Sequence, residues 1–223
     1  MRTRFHQGLD ELKEKLLRMG GMAENAVERA CRAYCQRDPA LAKTVLTDEK
    51  EINNIEREID ELALDLLAMQ QPMAIDLRFI TAVMKINADL ERVGDQAVNI
   101  AERAIDSSGL PNVELPVDIP RMADTASKMV RDALQSFIEG KAETAEALLK
   151  QDDVVDDMNR EIARTMLDRV ESDPRSTRQA MNALLIARNL ERVADHATNI
   201  AEDVIFWVRG ADVRHQGSAS VPR

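Results

Sequence analysis

From Phe5 to Val208 apolar residues return every three or four positions, and no stretch alternates apolar with polar over a strand's length. The chain therefore reads as helix after helix. Asp38-Pro39 has the form of an N-cap followed by a first-turn proline, and Asp173-Pro174 repeats it. Pro72 and Gly140 mark two further breaks, and SSGLPNVELP, from Ser107 to Pro116, concentrates the remaining turn formers. These signals predict six helices at about 4–37, 39–70, 73–106, 119–139, 141–171 and 174–209. A polar tail from Ala211 to Arg223 is expected to be flexible.

Three predicted helices fall on each side of SSGLPNVELP, and the two sides repeat. LERVGDQAVNIAE begins at Leu90 and LERVADHATNIAE at Leu190, and ten of the thirteen positions agree. Upstream, EREI at Glu56 to Ile59 faces NREI at Asn159 to Ile162, an offset three residues larger than in the later segment. The expected fold is all-α, two tandem antiparallel three-helix bundles related by internal duplication, over residues 1–110 and 116–210 with 211–223 as tail.

Composition narrows the function. The apolar fraction of 44% fits a chain that buries a core, and aromatics at 3% with eight glycines fit long helices with few turns. A formal charge of −10 repels nucleic-acid backbones and anionic lipid, so no nucleic-acid partner is expected. No apolar run suits a membrane span or a signal peptide, which predicts a cytoplasmic protein. Cys31 and Cys35, four apart on one helix, are read as small packing side chains. Met69, Met73 and Met84 are read as core rather than as a dimer face.

The repeated segment carries Glu91, Asp95, Asn99 and Glu102 in one copy and Glu191, Asp195, Asn199 and Glu202 in the other. At about 100° per residue each set forms one stripe, with Leu90, Val93, Ala97 and Ile100 turned toward a core. The second helix of each half offers a matching face: Glu49, Asn53, Glu56 and Asp60, and then Asp152, Asp156 and Asn159. No lysine or arginine enters the stripes, although opposite charges at i, i+4 are usual on a solvated helix. Two readings stay open, a solvated acidic face or a cation site where the two stripes of each half converge. Carboxylates about 5 Å apart repel by several kcal/mol at an effective dielectric near 20, and a divalent cation relieves that. All-oxygen donors suit magnesium, manganese or calcium and tolerate iron.

None of His6, His196 and His215 follows a glutamate by three, so the Glu-x-x-His signature of di-iron oxidation sites is missing. His196 has Gln96 as its repeat partner and is read as a surface or hydrogen-bonding residue. Neither a nucleophile elbow nor a phosphate-cradling glycine loop is present, so a binding module is favoured over a carboxylate-metal enzyme. A metal-free helical scaffold is the third possibility.

The two copies of the LER segment, with RFITAVMKINADLER leading into the first, make the chain resemble the PhoU family of phosphate-signalling regulators. The resemblance runs from FHQGLDELKEKL to FWVRG. It implies a cytoplasmic, often dimeric negative regulator that represses the phosphate-starvation response when phosphate is plentiful. Such a protein joins the ATPase subunit of a phosphate ABC transporter to a sensor histidine kinase and meets the membrane only through those partners. The resemblance also implies metal ions or iron at the acidic motifs, magnesium, manganese and iron being the foremost candidates. Carried across by position, the ligands are Glu91 and Asp95, Glu191 and Asp195, Asp152 and Asp156, and Glu49. The fourth motif departs from the pattern: Asn53 stands where aspartate is expected, which predicts weaker cation binding in the first half.

Overall fold

A computed structural model of the chain describes residues 2–70 and 72–210. Seven α-helices follow one another, and the described residues contain no strand: α1 (Arg2–Gln36), α2 (Pro39–Gln70), α3 (Ala74–Ser108), α4 (Ile119–Glu139), α5 (Ala142–Leu149), α6 (Asp152–Ser172) and α7 (Thr177–Arg209). A single 3-10 turn, Pro174–Ser176, leads into α7. The all-α architecture of two tandem helical bundles is as expected. The tail, 211–223, and the side chain of Met69 lie outside the described residues.

The punctuation works as its chemistry dictates. Asp38 Oδ1 accepts from the backbone N–H of Ala40 at 2.9 Å and of Leu41 at 3.0 Å, satisfying amides that the start of α2 leaves without partners. Asp173 accepts from Arg175 N at 3.2 Å in the same way. Gly140 closes α4 in the left-handed region at φ 62°, where a side chain would be strained.

The expected fifth helix, about 141–171, is instead two. It breaks at Lys150 and Gln151, where Gln151 N donates to Leu148 O at 2.8 Å and Val154 N to Gln151 O at 3.1 Å. No glycine or proline marks the break. Asp152 and Asp153 open α6, where the positive end of a new helix favours carboxylates. The break lets α5 lie along α7, tied by Arg209 to Glu143 at 3.1 Å and to Glu146.

Within the first half α1, α2 and α3 pack on one another, and in the second α7 packs on α4, α5 and α6. Between halves α3 runs antiparallel to α7, and α1 packs on α4. Gly20 of α1 faces Leu134 of α4 so closely that a Cβ there would collide with the leucine methyl. Leu90, Val93, Ala97, Ile100 and their repeat partners Leu190, Val193, Ala197 and Ile200 are all fully buried, so this face of the repeated segment is core as predicted. One continuous apolar cluster draws on every α-helix. Phe79, Phe137 and Trp207 meet at one end of it, with ring centroids 5.3–5.6 Å apart, a contact shared by both halves. Of the methionines read as core, Met84 packs partly buried against the cluster, whereas Met73 is 76% exposed. Met73 is the N-cap of α3, just after the proline, in extended backbone.

Candidate functional site

The acidic residues form one face per half. In the first, Glu49, Asn53, Glu56 and Asp60 on α2 look across at Glu91 and Asp95 on α3. All six are partly buried. Burial raises the Glu91 carboxyl above its ordinary range, and Asp95, Glu56 and Glu49 add to the rise against Arg92. Asp95 is raised by burial and by Glu49, with His196 opposing. Glu56 is raised by burial and by Asp60, with Arg57 opposing. Asn53 Nδ2 donates to Glu49 Oε1 at 3.3 Å, supplying a neutral donor inside the motif where a carboxylate was expected. Asn87, almost fully buried on α3, donates to Asp60 Oδ1 and to the Glu56 carbonyl, each at 3.0 Å.

The second face joins Asp152 and Asp156 of α6 to Glu191 and Asp195 of α7. It carries the largest carboxyl shift of the two faces. Burial, then Asp195, Asp156, Asp153 and Glu191, push the Asp152 carboxyl up to about 6, although its place at the start of α6 works the other way. Asp152 Oδ1 is enclosed and accepts no hydrogen bond among the described residues. Burial followed by Asp195 and Asp156 raises Glu191, and burial followed by Asp156 raises Asp195. Guanidinium groups stay at the rim: Arg160 lies 3.6 Å from Asp156 and 2.6 Å from Asp157. These are mutually repelling carboxylates, partly buried at Asp152, Asp156 and Glu191 and exposed at Asp195.

The stripe on the third helices is shorter than the sequence suggested. Asn99 and Glu102 are exposed, and Glu102 stands 3.7 Å from Arg103. Asn199 donates to Asp89 Oδ1 at 3.3 Å instead of joining the acidic face. Asp89 also lies 2.9 Å from Nδ1 of His196, which makes His196 a hydrogen-bonding residue of the α3–α7 seam. Asp203, 1% exposed, meets Lys85 at 3.3 Å on the same seam. These buried carboxylates went unnoticed in the sequence. Their signal was phase: Asp203 follows Ile200 and precedes Val204, on the turn of the helix that faces the core.

Among the described residues no group of three or more His, Cys, Asp or Glu side chains is arranged to hold a metal ion as it stands. The donor chemistry nonetheless suits a hard cation: every candidate is an oxygen, and the second face has an enclosed carboxylate oxygen with no protein partner. Cys31 is buried and Cys35 exposed, and burial raises both thiols, so neither has the lowered pKa of a reactive thiolate. Among the described residues no helix is long and apolar enough to cross a membrane.

Fold and site together define a duplicated all-helical protein with one half-buried carboxylate face in each repeat. The PhoU domain model matches residues 16–104 and again 119–204, and the chain belongs to the PhoU family. The phosphate-specific transport system accessory protein PhoU homolog of Pseudomonas putida is 39% identical over 96% of this chain and 84% of its own length. The phosphate-specific transport system accessory protein PhoU of Escherichia coli K12 is 32% identical over 96% of this chain and 88% of its own. The crystal structure of PhoU from Pseudomonas aeruginosa superposes with a TM-score of 0.88 at 37% identity, covering 93% of this chain and all of that one. The phosphate transport system regulatory protein PhoU from Streptococcus pneumoniae gives 0.86 at 26% identity over 94% of this chain and 99% of its own. These names describe accessory and regulatory proteins rather than enzymes.

Proposed function

We propose that the protein is a cytoplasmic regulator of phosphate uptake. In this reading it joins the ATPase subunit of a phosphate ABC transporter to a sensor histidine kinase and represses the phosphate-starvation response when phosphate is plentiful. It acts by binding rather than catalysis, as a homodimer. The observation that supports the reading most is the pairing of family membership over both halves with a carboxylate face preserved in each, at Glu91 and Asp95 and at Glu191 and Asp195.

The acidic faces are proposed cation sites. Glu191, Asp195, Asp152 and Asp156 would hold magnesium, manganese or iron in the second half, and Glu91, Asp95, Glu49 and the amide oxygen of Asn53 in the first. A bound cation would supply positive charge that offsets the repulsion within each face. The chain's own part is to hold the carboxylates partly buried with arginine only at the rim, at Asp156, and to let α6 and α7 side chains swing together, since they are not yet convergent.

Titration of metal-free protein with manganese tests the sites. Glu191→Ala with Asp195→Ala should remove uptake by the second half while helix content, read by circular dichroism, is kept. Unchanged manganese content would remove the ligand assignment. Co-purification of the intact protein with transporter ATPase and kinase tests the regulatory role separately, and derepression of phosphate uptake in a deletion strain is the expected phenotype.

A further inference from the structure

The side of α3 that carries Glu91 continues beyond the first acidic face as an apolar surface. Leu77, Met84 and Glu91 are spaced by seven on α3, and Asn53, Asp60 and Leu67 are spaced by seven on α2, with Leu64 four after Asp60. Each set therefore shares one side of its helix. Ile52 lies against Gly94, and Asp60 accepts from Asn87 at 3.0 Å, so the antiparallel register brings Leu64 level with Met84 and the end of α2 level with Leu77. Leu64 is 56% exposed and Leu77 45%, Met73 and Ile75 are more exposed still, and Met84 and Leu67 are partly buried against the core. From Met73 to Met84 this apolar surface runs about 15 Å, or three turns of α3. Exposed apolar side chains gathered in this way mark a contact surface.

The charges around it have one sign. From Ile59 to Gln70, α2 carries Asp60, Glu61 and Asp65 and no basic residue. The two basic residues of α3 between Ala74 and Leu90 are turned toward α7: Arg78 Nε donates to the Trp207 carbonyl at 3.3 Å, and Lys85 meets Asp203 at 3.3 Å. The second repeat lacks this combination. Leu167 repeats Leu64 and is 60% exposed, but Thr177 stands for Leu77, Ala163 for Asp60 and Arg164 for Glu61. Anionic lipid and a second copy of the patch would both bring negative charge to it and be repelled.

We propose that this patch docks an amphipathic α-helix of a partner protein, about three turns long, with apolar residues at i, i+3, i+4 and i+7 and lysine or arginine along their flank. The apolar side chains cover Leu64, Leu77 and Met73, and the cations lie against Glu61 and Asp65. The proposal rests on the reading of the protein as a module that acts by binding, and it is independent of cations at the acidic faces. One helix docks per chain, because the first repeat alone combines the leucine pair with the acidic flank.

The test is fluorescence anisotropy of a labelled synthetic peptide of about fourteen residues, built from leucine and lysine in that pattern and titrated with the metal-free full chain at about 0.15 M salt. It should bind with a dissociation constant below about 100 μM, and a scrambled peptide of the same composition, or one with glutamate for lysine, at least about tenfold more weakly. Leu64→Gln with Leu77→Gln, both at exposed positions and with a good helix former, should weaken binding about tenfold with helix content unchanged, whereas Leu167→Gln should leave it as it is. Equal binding of the scrambled peptide, undiminished binding by the Leu64→Gln and Leu77→Gln protein, or equal loss with Leu167→Gln overturns the proposal. So does the loss, through that double substitution, of self-association or of sedimentation with phosphatidylcholine and phosphatidylglycerol vesicles, which would assign the patch to a second copy or to lipid. Parent protein that retains transporter ATPase and kinase but binds no peptide removes the patch alone. Parent protein that binds the peptide and retains neither removes the regulatory reading and leaves the patch standing.

Discussion

The two acidic faces are built on the same repeat and differ in charge. Both place a glutamate and an aspartate, four apart, on the last helix of the half, at positions 91 and 95 and again at 191 and 195. On the facing helix the second half offers Asp152 and Asp156, and the first offers Glu49 and Asn53. The consequence is visible in the protonation of each face. Asp152 is driven up to about 6 with a carboxylate oxygen left bare, whereas in the first half Asn53 hands a hydrogen bond to Glu49. One oxygen exchanged for an amide NH2 thus gives Glu49 a donor within a face whose Glu91, Asp95 and Glu56 still repel one another. Duplication preserved the frame and let the electrostatics of the two sites diverge.

The sharpest way to break the comparison is to ask whether the halves are separate bodies. Phe137→Ala removes a fully buried ring stacked on Phe79 of the first half, and should cost about 3–5 kcal/mol. Because that contact is shared, denaturant unfolding followed by Trp207 fluorescence and by circular dichroism should still give a single coincident transition. A surviving half-unfolded plateau would mean that the faces reside in independent domains.

Next in size is Asn53→Asp, which gives the first face the carboxylate its twin has. It should raise manganese affinity there about tenfold, some 1.4 kcal/mol, when measured by calorimetry with Glu191→Ala and Asp195→Ala silencing the second face. Equal affinity of the two unmodified faces would contradict the comparison outright. His196→Gln gives the seam the residue of the first repeat. Losing the bond to Asp89 should lower stability by about 1 kcal/mol, read as a shift of denaturation midpoint.

Smallest is Asp152→Asn. A carboxyl raised in the folded state contributes stability that is fully present below its unfolded value, 3.8, and is lost as pH rises through about 6. The metal-free variant should therefore be more stable than the parent at pH 7, by about 1 kcal/mol or less because solvent screens the site, and no different near pH 3. Thermal midpoints across that range check both the sign and the window.

Much of this was legible in the sequence because it was periodic or repeated. The helical spacing and the Asp-Pro and glycine signals located most boundaries, and the LER copies exposed both the duplication and the two carboxylates that face α2 and α6. What escaped was carried by tertiary contact. The break at Lys150 and Gln151 uses ordinary helix formers, and it is decided by where α5 and α6 pack on α7. Asn199 shares a stripe with Glu191 and Asp195 on a helical wheel, yet the antiparallel neighbour α3 claims it through Asp89. Met73 looked like core because methionine usually is, and it is exposed instead, at the N-cap of α3.

Gly20 sets the tolerance of the joint between α1 and α4. With only a hydrogen atom between the α1 backbone and the Leu134 methyl, the joint has no clearance. Any larger residue acts as a shim: either Leu134 swings out of its slot or α1 and α4 part company. Added bulk at this point of α1 is therefore taken up first by the leucine side chain, and only then by the spacing of the two helices.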